Sequence, residues 1–279
     1  MGQGPTKTPC GIAVHDLKLA FVTTNGLLPV LDDISFDVPP GHTLALVGPS
    51  GCGKTSLLRV LAGMDMGRKT PLVTSGTVTI GGMQPCQALQ DKITALVPQS
   101  PALLPWRTVF ENVMLPFEIA NATTGNSQLQ NASERTLADL RRVGLSEFQN
   151  SLPIELSGGM QSRVAIVRAI VRRPQVMLLD EPLGALDEIT RQHLQHEIDE
   201  IFTDLHCTTV LVTHSVHEAV FLADHILTLS SRPAGIVKSY EVKQQRPRST
   251  AFGHSPEFRD LVREITENLD RSFTAAWRG

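Results

Sequence analysis

The run Gly48-Pro49-Ser50-Gly51-Cys52-Gly53-Lys54-Thr55 constrains this chain more than any other stretch, because it reads G-x-x-x-x-G-K-T. Residues 42–47 before it form a compact apolar run of the buried-strand type, and residues 56–61 after it read as a helix that stops near Gly63. A strand that turns through glycines into a helix points a row of backbone N–H groups, and the helix N-terminus, at one place. Side chains there would block the approach of a phosphate, and some positions call for positive φ, so glycine is required. The pattern assigns Gly48 to Ser56 to the phosphates of ATP. Lys54 is expected to act as a point charge toward the β- and γ-phosphates, and the Thr55 hydroxyl as a ligand of Mg²⁺.

Composition narrows what surrounds this loop. The chain has 279 residues, 41% of them apolar and 19% charged, with a net charge of −3, which is an ordinary soluble balance. It lacks the basic excess of a protein that neutralises nucleic-acid phosphates, so no nucleic-acid partner is expected. No apolar run reaches the roughly 20 residues of a membrane span. Residues 1–9 are polar and broken by Gly and Pro, unlike a signal peptide, so a cytosolic location is expected, with any membrane association supplied by a partner. Cys10, Cys52, Cys86 and Cys207 are scattered, with neither disulfide nor zinc spacing. Cys52 lies among the loop's backbone donors, a position that can lower a thiol pKa, so bound ATP is expected to shield it from alkylation.

Along the chain, residues 11–21 and 30–38 alternate like half-buried strands around the turn signal Thr23-Thr24-Asn25-Gly26. Further strands are expected at 77–80, 93–97, 176–179, 208–212 and 226–229, and helices after Ser157, at 186–205 and from Val216. This is an α/β pattern built on a largely parallel sheet. Residues 99–173 read as a helical insertion, with helical patterns at 109–119 and 134–143. The polar stretches 68–75 and 121–131 read as solvated loops, and 256–277 as one amphipathic helix.

Two more motifs carry chemistry. Val176-Met177-Leu178-Leu179 is a buried strand that delivers Asp180 and Glu181 at its C-terminal end, where open parallel sheets bind ligands. Strand neighbours point to opposite sides, so Asp180 can hold Mg²⁺ while Glu181 polarises an attacking water as general base. Leu156-Ser157-Gly158-Gly159-Met160-Gln161 is a Ser N-cap opening a helix with exposed backbone donors, a second anion site.

Taken together, these motifs resemble the ATP-binding-cassette (ABC) family over about residues 13–248, with Ser157-Gly158-Gly159 as its signature. The resemblance implies a P-loop NTPase core with a helical signature subdomain at about 99–173 and an N-terminal antiparallel β subdomain. The ATPase domain would span 11–250 and a short helical tail 251–279. It further implies that Gln99 contacts Mg²⁺ and the attacking water, that His214 is the switch histidine at the γ-phosphate, and that Phe21 stacks on adenine. Gly184-Ala185-Leu186-Asp187 resembles the D-loop, which places Asp187 at the opposite subunit's nucleotide. The other eight histidines, His193 and His196 included, show no metal spacing and read as surface residues. Met160 stands where Gln is commoner, Gly184 where Ser is frequent, and Phe21 lacks the hydroxyl of the commoner Tyr.

In that family one chain holds halves of two sites, so a head-to-tail dimer with a second copy is implied, glued by ATP. DNA-maintenance relatives carry long coiled coils or zinc cysteines, and translation factors carry two phosphate loops; this chain has none of these. A transporter subunit is thus favoured over a soluble ABC ATPase of DNA maintenance or translation. Residues 101–113, with Pro105-Trp106, and residues 231–237 resemble bacterial importers for nitrate, sulfonates, taurine and related solutes. That implies two permease subunits, an extracytoplasmic solute-binding protein, and a peripheral position on the cytoplasmic face of the inner membrane. The cargo, whether nitrate, a sulfonate, taurine or a thiamine-pyrimidine precursor, is not written in this subunit.

Overall fold

Nine strands and nine helices run through the computed structural model, which describes residues 8–64, 72–121, 127–184, 186 and 188–277. The strands β1 (Ile12–Thr23), β2 (Gly26–Val38) and β4 (Leu72–Ile80) form one antiparallel sheet in the order β2-β1-β4. The other sheet has the order β5-β6-β7-β3-β8-β9, from β5 (Thr94–Val97), β6 (Val176–Asp180), β7 (Thr208–Thr213), β3 (Thr43–Val47), β8 (His225–Leu229) and β9 (Ile236–Glu241). All its pairings are parallel except β8 with β9.

Every residue of β3, β6 and β7 is buried, which is why these strands read as continuous apolar runs rather than alternating ones. Alternation reappears in where the side chains go. Leu44, Leu46, Val176, Leu178, Val210 and Val212 enter a core shared with the antiparallel sheet and with α1 (Lys54–Leu61). Ala45, Val47, Met177, Leu179 and Leu211 enter the opposite core, with α5 (Gly158–Ile170), α6 (Glu188–Leu205), α7 (Val216–Leu222) and α9 (Pro256–Trp277). Period-two geometry thus lets one sheet wall off two cores.

Between β5 and β6 the chain forms α3 (Val109–Asn121), α4 (Ser127–Arg142) and α5, with α5 packed against α3, α4 and β5. The expected solvated loop at 121–131 is partly wrong, because α4 already begins at Ser127; residues 122–126 lie outside the described residues. Likewise residues 72–75 of the expected loop at 68–75 belong to β4, while 68–71 lie outside the described residues. The short α2 (Pro85–Gln90) and the edge strand β9 are among the elements that had no expectation. A four-residue helix α8 (Thr250–Gly253) precedes α9, which matches the expected tail helix. Among the described residues, no helix is long and apolar enough to cross a membrane.

Candidate active site

The strand order determines what meets at the sheet's C-terminal edge. Gln99 follows β5 by two residues, Asp180 ends β6, His214 directly follows β7, and the Gly48 loop follows β3. Because β5, β6, β7 and β3 are parallel neighbours, four sequence-distant segments emerge side by side.

In the loop, Gly53 caps α1 at φ 119°, a left-handed conformation, and offers no side-chain cap to the helix. A Cβ there would lie 2.8 Å from both Val30 Cγ1 and Leu31 Cδ2, so position 53 needs glycine twice over. The first-turn N–H groups of α1 are left facing the loop. Lys54 is buried, and its Nζ donates to the carbonyls of Gly48 at 2.7 Å and Pro49 at 2.8 Å, which holds the ammonium at the loop's centre. Ser50 and Gly51 are exposed, and Pro49, Thr55 and Ser56 half-buried.

Cys52 corrects an expectation. Its side chain is only 1% exposed and packs in the core beneath the loop. Burial pushes the thiol pKa up, and the nearby Lys54 ammonium only partly opposes that. The thiol lies beneath the loop, within 3.9 Å of the Lys54 Nζ, so it is shielded by the core itself and needs no ATP to protect it.

The two carboxylates at the end of β6 diverge. Thr55 Oγ1 donates to Asp180 Oδ1 at 3.1 Å. Burial raises the Asp180 pKa, with the Thr55 hydrogen bond opposing and the neighbouring Glu181 adding to the rise. A buried carboxylate beside a hydroxyl is a pair of hard oxygen donors short of a positive charge, which fits Mg²⁺. Glu181 lies outside the strand and has φ 46°, so a left-handed backbone turn, rather than strand alternation alone, sends its carboxylate elsewhere. Its Oε2 accepts from Gln99 Nε2 at 3.3 Å and meets His214 Nδ1 at 3.1 Å. A carboxylate acceptor calls for the proton on His214 Nδ1. Two bonded groups therefore stand at the sheet's edge, the phosphate loop with Asp180 and Glu181 with Gln99 and His214, joined through the adjacent backbone of Asp180 and Glu181.

The remaining expected residues stand apart from it. Ser157 caps α5 by accepting from Met160 N at 3.3 Å, and both Ser157 and Gly158 are exposed. Gly159 is buried, and a Cβ on it would come within 2.7 Å of Leu186 Cδ2. Among the described residues no hydrogen bond joins this segment to the phosphate loop. Phe21 is half-buried against the core of the antiparallel sheet, paired across from Leu28 and Leu72. Asp187 lies outside the described residues. Trp106 is 72% exposed, so it is not packed within the helical segment.

A glycine loop cradling a lysine, a hydroxyl–carboxylate pair and a second carboxylate held by Gln and His define a phosphate-loop nucleoside triphosphatase. The sequence profile of the ABC transporter family matches residues 31–184. The aliphatic sulfonates import ATP-binding protein SsuB 1 of Mesorhizobium japonicum is 42% identical, over 88% of this chain and 83% of its own length. The nitrate import ATP-binding protein NrtD of Synechococcus elongatus is 35% identical, over 91% of this chain and 89% of its own. The dimeric structure of MJ0796, described as a bacterial ABC transporter cassette, superposes with a TM-score of 0.70 at 26% identity, covering 84% of this chain and all of that one. This chain belongs to the ABC transporter family. It is an ATP-binding, ATP-hydrolysing protein with the cassette fold.

Proposed function

We propose that the chain is the ATP-hydrolysing subunit of an importer for a small anion of the nitrate or sulfonate kind, working as a head-to-tail pair beneath a membrane permease. The convergence of Gln99 and His214 on the Glu181 carboxylate, beside the Thr55–Asp180 pair, carries this reading. Lys54 and the N–H groups of residues 48–56 bind the β- and γ-phosphates, and Phe21 offers its ring to the adenine. Mg²⁺, held by Thr55 and Asp180 with Gln99 nearby, would neutralise charge building on the phosphates. Glu181 takes a proton from the attacking water, Gln99 orients that water, and His214 holds Glu181 and reaches the γ-phosphate.

The signature of one chain, Ser157-Gly158-Gly159, whose first two residues are exposed, closes on the γ-phosphate held by the other, with Asp187 crossing the same seam. Exposure of Trp106, together with Ile154 at 87%, supports a docking surface for the permease on the helical segment at 99–173. An extracytoplasmic binding protein would deliver the solute, and the subunit would sit on the cytoplasmic face of the inner membrane. The two relatives described above are named as import ATP-binding proteins for aliphatic sulfonates and for nitrate, which supports the solute class.

Glu181→Gln tests the site. It should keep ATP affinity, lose roughly 100-fold or more in turnover, and accumulate as an ATP-dependent dimer in light scattering. Turnover near that of the native chain would remove Glu181 from the role of base.

A further inference from the structure

Away from the catalytic cluster, α6, α7 and the α8–α9 segment enclose a cavity of about 520 Å³ that none of the roles above uses. Four imidazoles line it: His193 and His196 from α6, His217 from α7 and His254 from the turn between α8 and α9. The Arg191 guanidinium lines it too, and among the described residues no carboxylate does. In a chain with 28 acidic and 25 basic residues, this many nitrogen donors on one wall are a local departure from the whole. Phe221 and Phe258 supply apolar wall, and they also fix two of the imidazoles. His196 meets Phe221 edge-on at 4.6 Å, and His217 lies 5.5 Å from Phe258.

A metal ion is the wrong occupant. Among the described residues, no group of three or more His, Cys, Asp or Glu side chains converges on a point where an ion could be held. Guanidinium, imidazoles and phenyl rings around a volume of this size suit a small organic anion with an aromatic or apolar body.

We propose that this cavity binds such an anion and regulates the ATPase site through it. Its walls touch both sides of the catalytic machinery. Arg191 donates to the Leu186 carbonyl at 2.8 Å, and Leu186 is the side chain packed against Gly159 of the signature helix. Ser215, on the opposite wall, caps α7 by accepting from Glu218 N at 3.3 Å and directly follows His214. The Arg191 charge also acts on the buried Glu218. An anion that draws the guanidinium into the cavity loosens the tie to Leu186, and with it the seam on which Gly159 rests, so turnover falls.

The regulatory half rests on the ATPase reading; the binding half does not. The test is a calorimetric titration of the full chain with phenylphosphate, after the phosphate loop has been saturated with a non-hydrolysable ATP analogue. Saturable binding is expected, weakened roughly tenfold or more in His193→Ala/His254→Ala, whose changes lie at exposed positions. Neutral benzyl alcohol should not bind. Phenylphosphate should lower ATP turnover about threefold in the native chain and leave the double variant's unchanged. No saturable binding, or equal binding in the double variant, overturns the site. Binding with unaltered turnover overturns the regulation. Absence of ATP turnover in the native chain would instead strike the reading under Proposed function, and the titration would still stand as a test of the cavity.

Discussion

Glu181 takes its aim from the backbone, while its neighbours take theirs from burial. A non-glycine residue in the left-handed region costs on the order of 1 kcal/mol or more, and here it turns the carboxylate toward Gln99 and His214. Glu218, behind the switch, is a second acid with an unusual setting. It is wholly buried on α7, its Oε2 accepts from Thr213 Oγ1, and its Oε1 has no hydrogen-bond partner among the described residues. Burial pushes its pKa up to about 7, with the Thr213 hydroxyl opposing. A raised carboxyl pKa means that the folded chain binds the proton more tightly than the unfolded one. Its stabilising share is therefore complete below about 4.5 and is lost as the pH rises through about 7. Glu218→Gln, which stays neutral and can still accept from Thr213, should flatten that decline. Urea unfolding at pH 5 and pH 8 should separate the native chain from the variant by a change on the order of 2–3 kcal/mol. Parallel pH profiles for the two would show that Glu218 is not the group responsible.

At the scale of elements, one side chain straps the C-terminal segment to the sheet domain. Asp199 of α6 is buried and accepts from Arg246 Nε and from the backbone N–H of Arg248. Arg248 in turn donates to the carbonyls of Phe221 at 2.9 Å and Gln244 at 3.0 Å, and burial lowers its pKa to about 10. Asp199→Ala takes away the acceptor of the buried Arg246 Nε and of the Arg248 backbone N–H, leaving Asp224 as the carboxylate beside the two guanidiniums, and should lower unfolding stability by about 3 kcal/mol, read as a lower urea midpoint. A midpoint within error of the native one would mean that apolar packing of α9 alone holds the tail. The same segment marks where the sequence stops being readable. Strands β3, β6 and β7 announce themselves because both faces are covered and every position but the terminal Asp180 is apolar or Thr. Edge strand β9 buries only Tyr240, and α2 only Ala88, so neither leaves a periodic trace. The candidate site was legible because its residues sit in motifs of fixed spacing after strands. The histidine-lined cavity was not, since its imidazoles come from three elements and meet only when α7 and the tail pack on α6. The depth of Cys52 was hidden for a similar reason, because motif spacing places its backbone but not the core below it.

At the scale of the whole molecule, the signature and the phosphate loop of one chain make no hydrogen bond with each other among the described residues. A head-to-tail pair therefore permits a complementation experiment. Lys54→Ala spoils the loop and keeps the signature, while Ser157→Arg does the reverse. Each variant alone should be nearly inactive, and an equal mixture should recover up to roughly a quarter of native ATP turnover, because half of the pairs are mixed and each has one intact site. A mixture no more active than its components would argue that each chain works alone. The two-faced sheet bears on how such a pair could move. Because β3, β6 and β7 are gripped by separate cores on both sides, the strands cannot slide against one another without stripping side chains from both. Bolted in this way, the sheet is a stiff chassis. The groups mounted along its rim keep their spacing through every stroke, and the travel is left to the helical arm that carries Ser157.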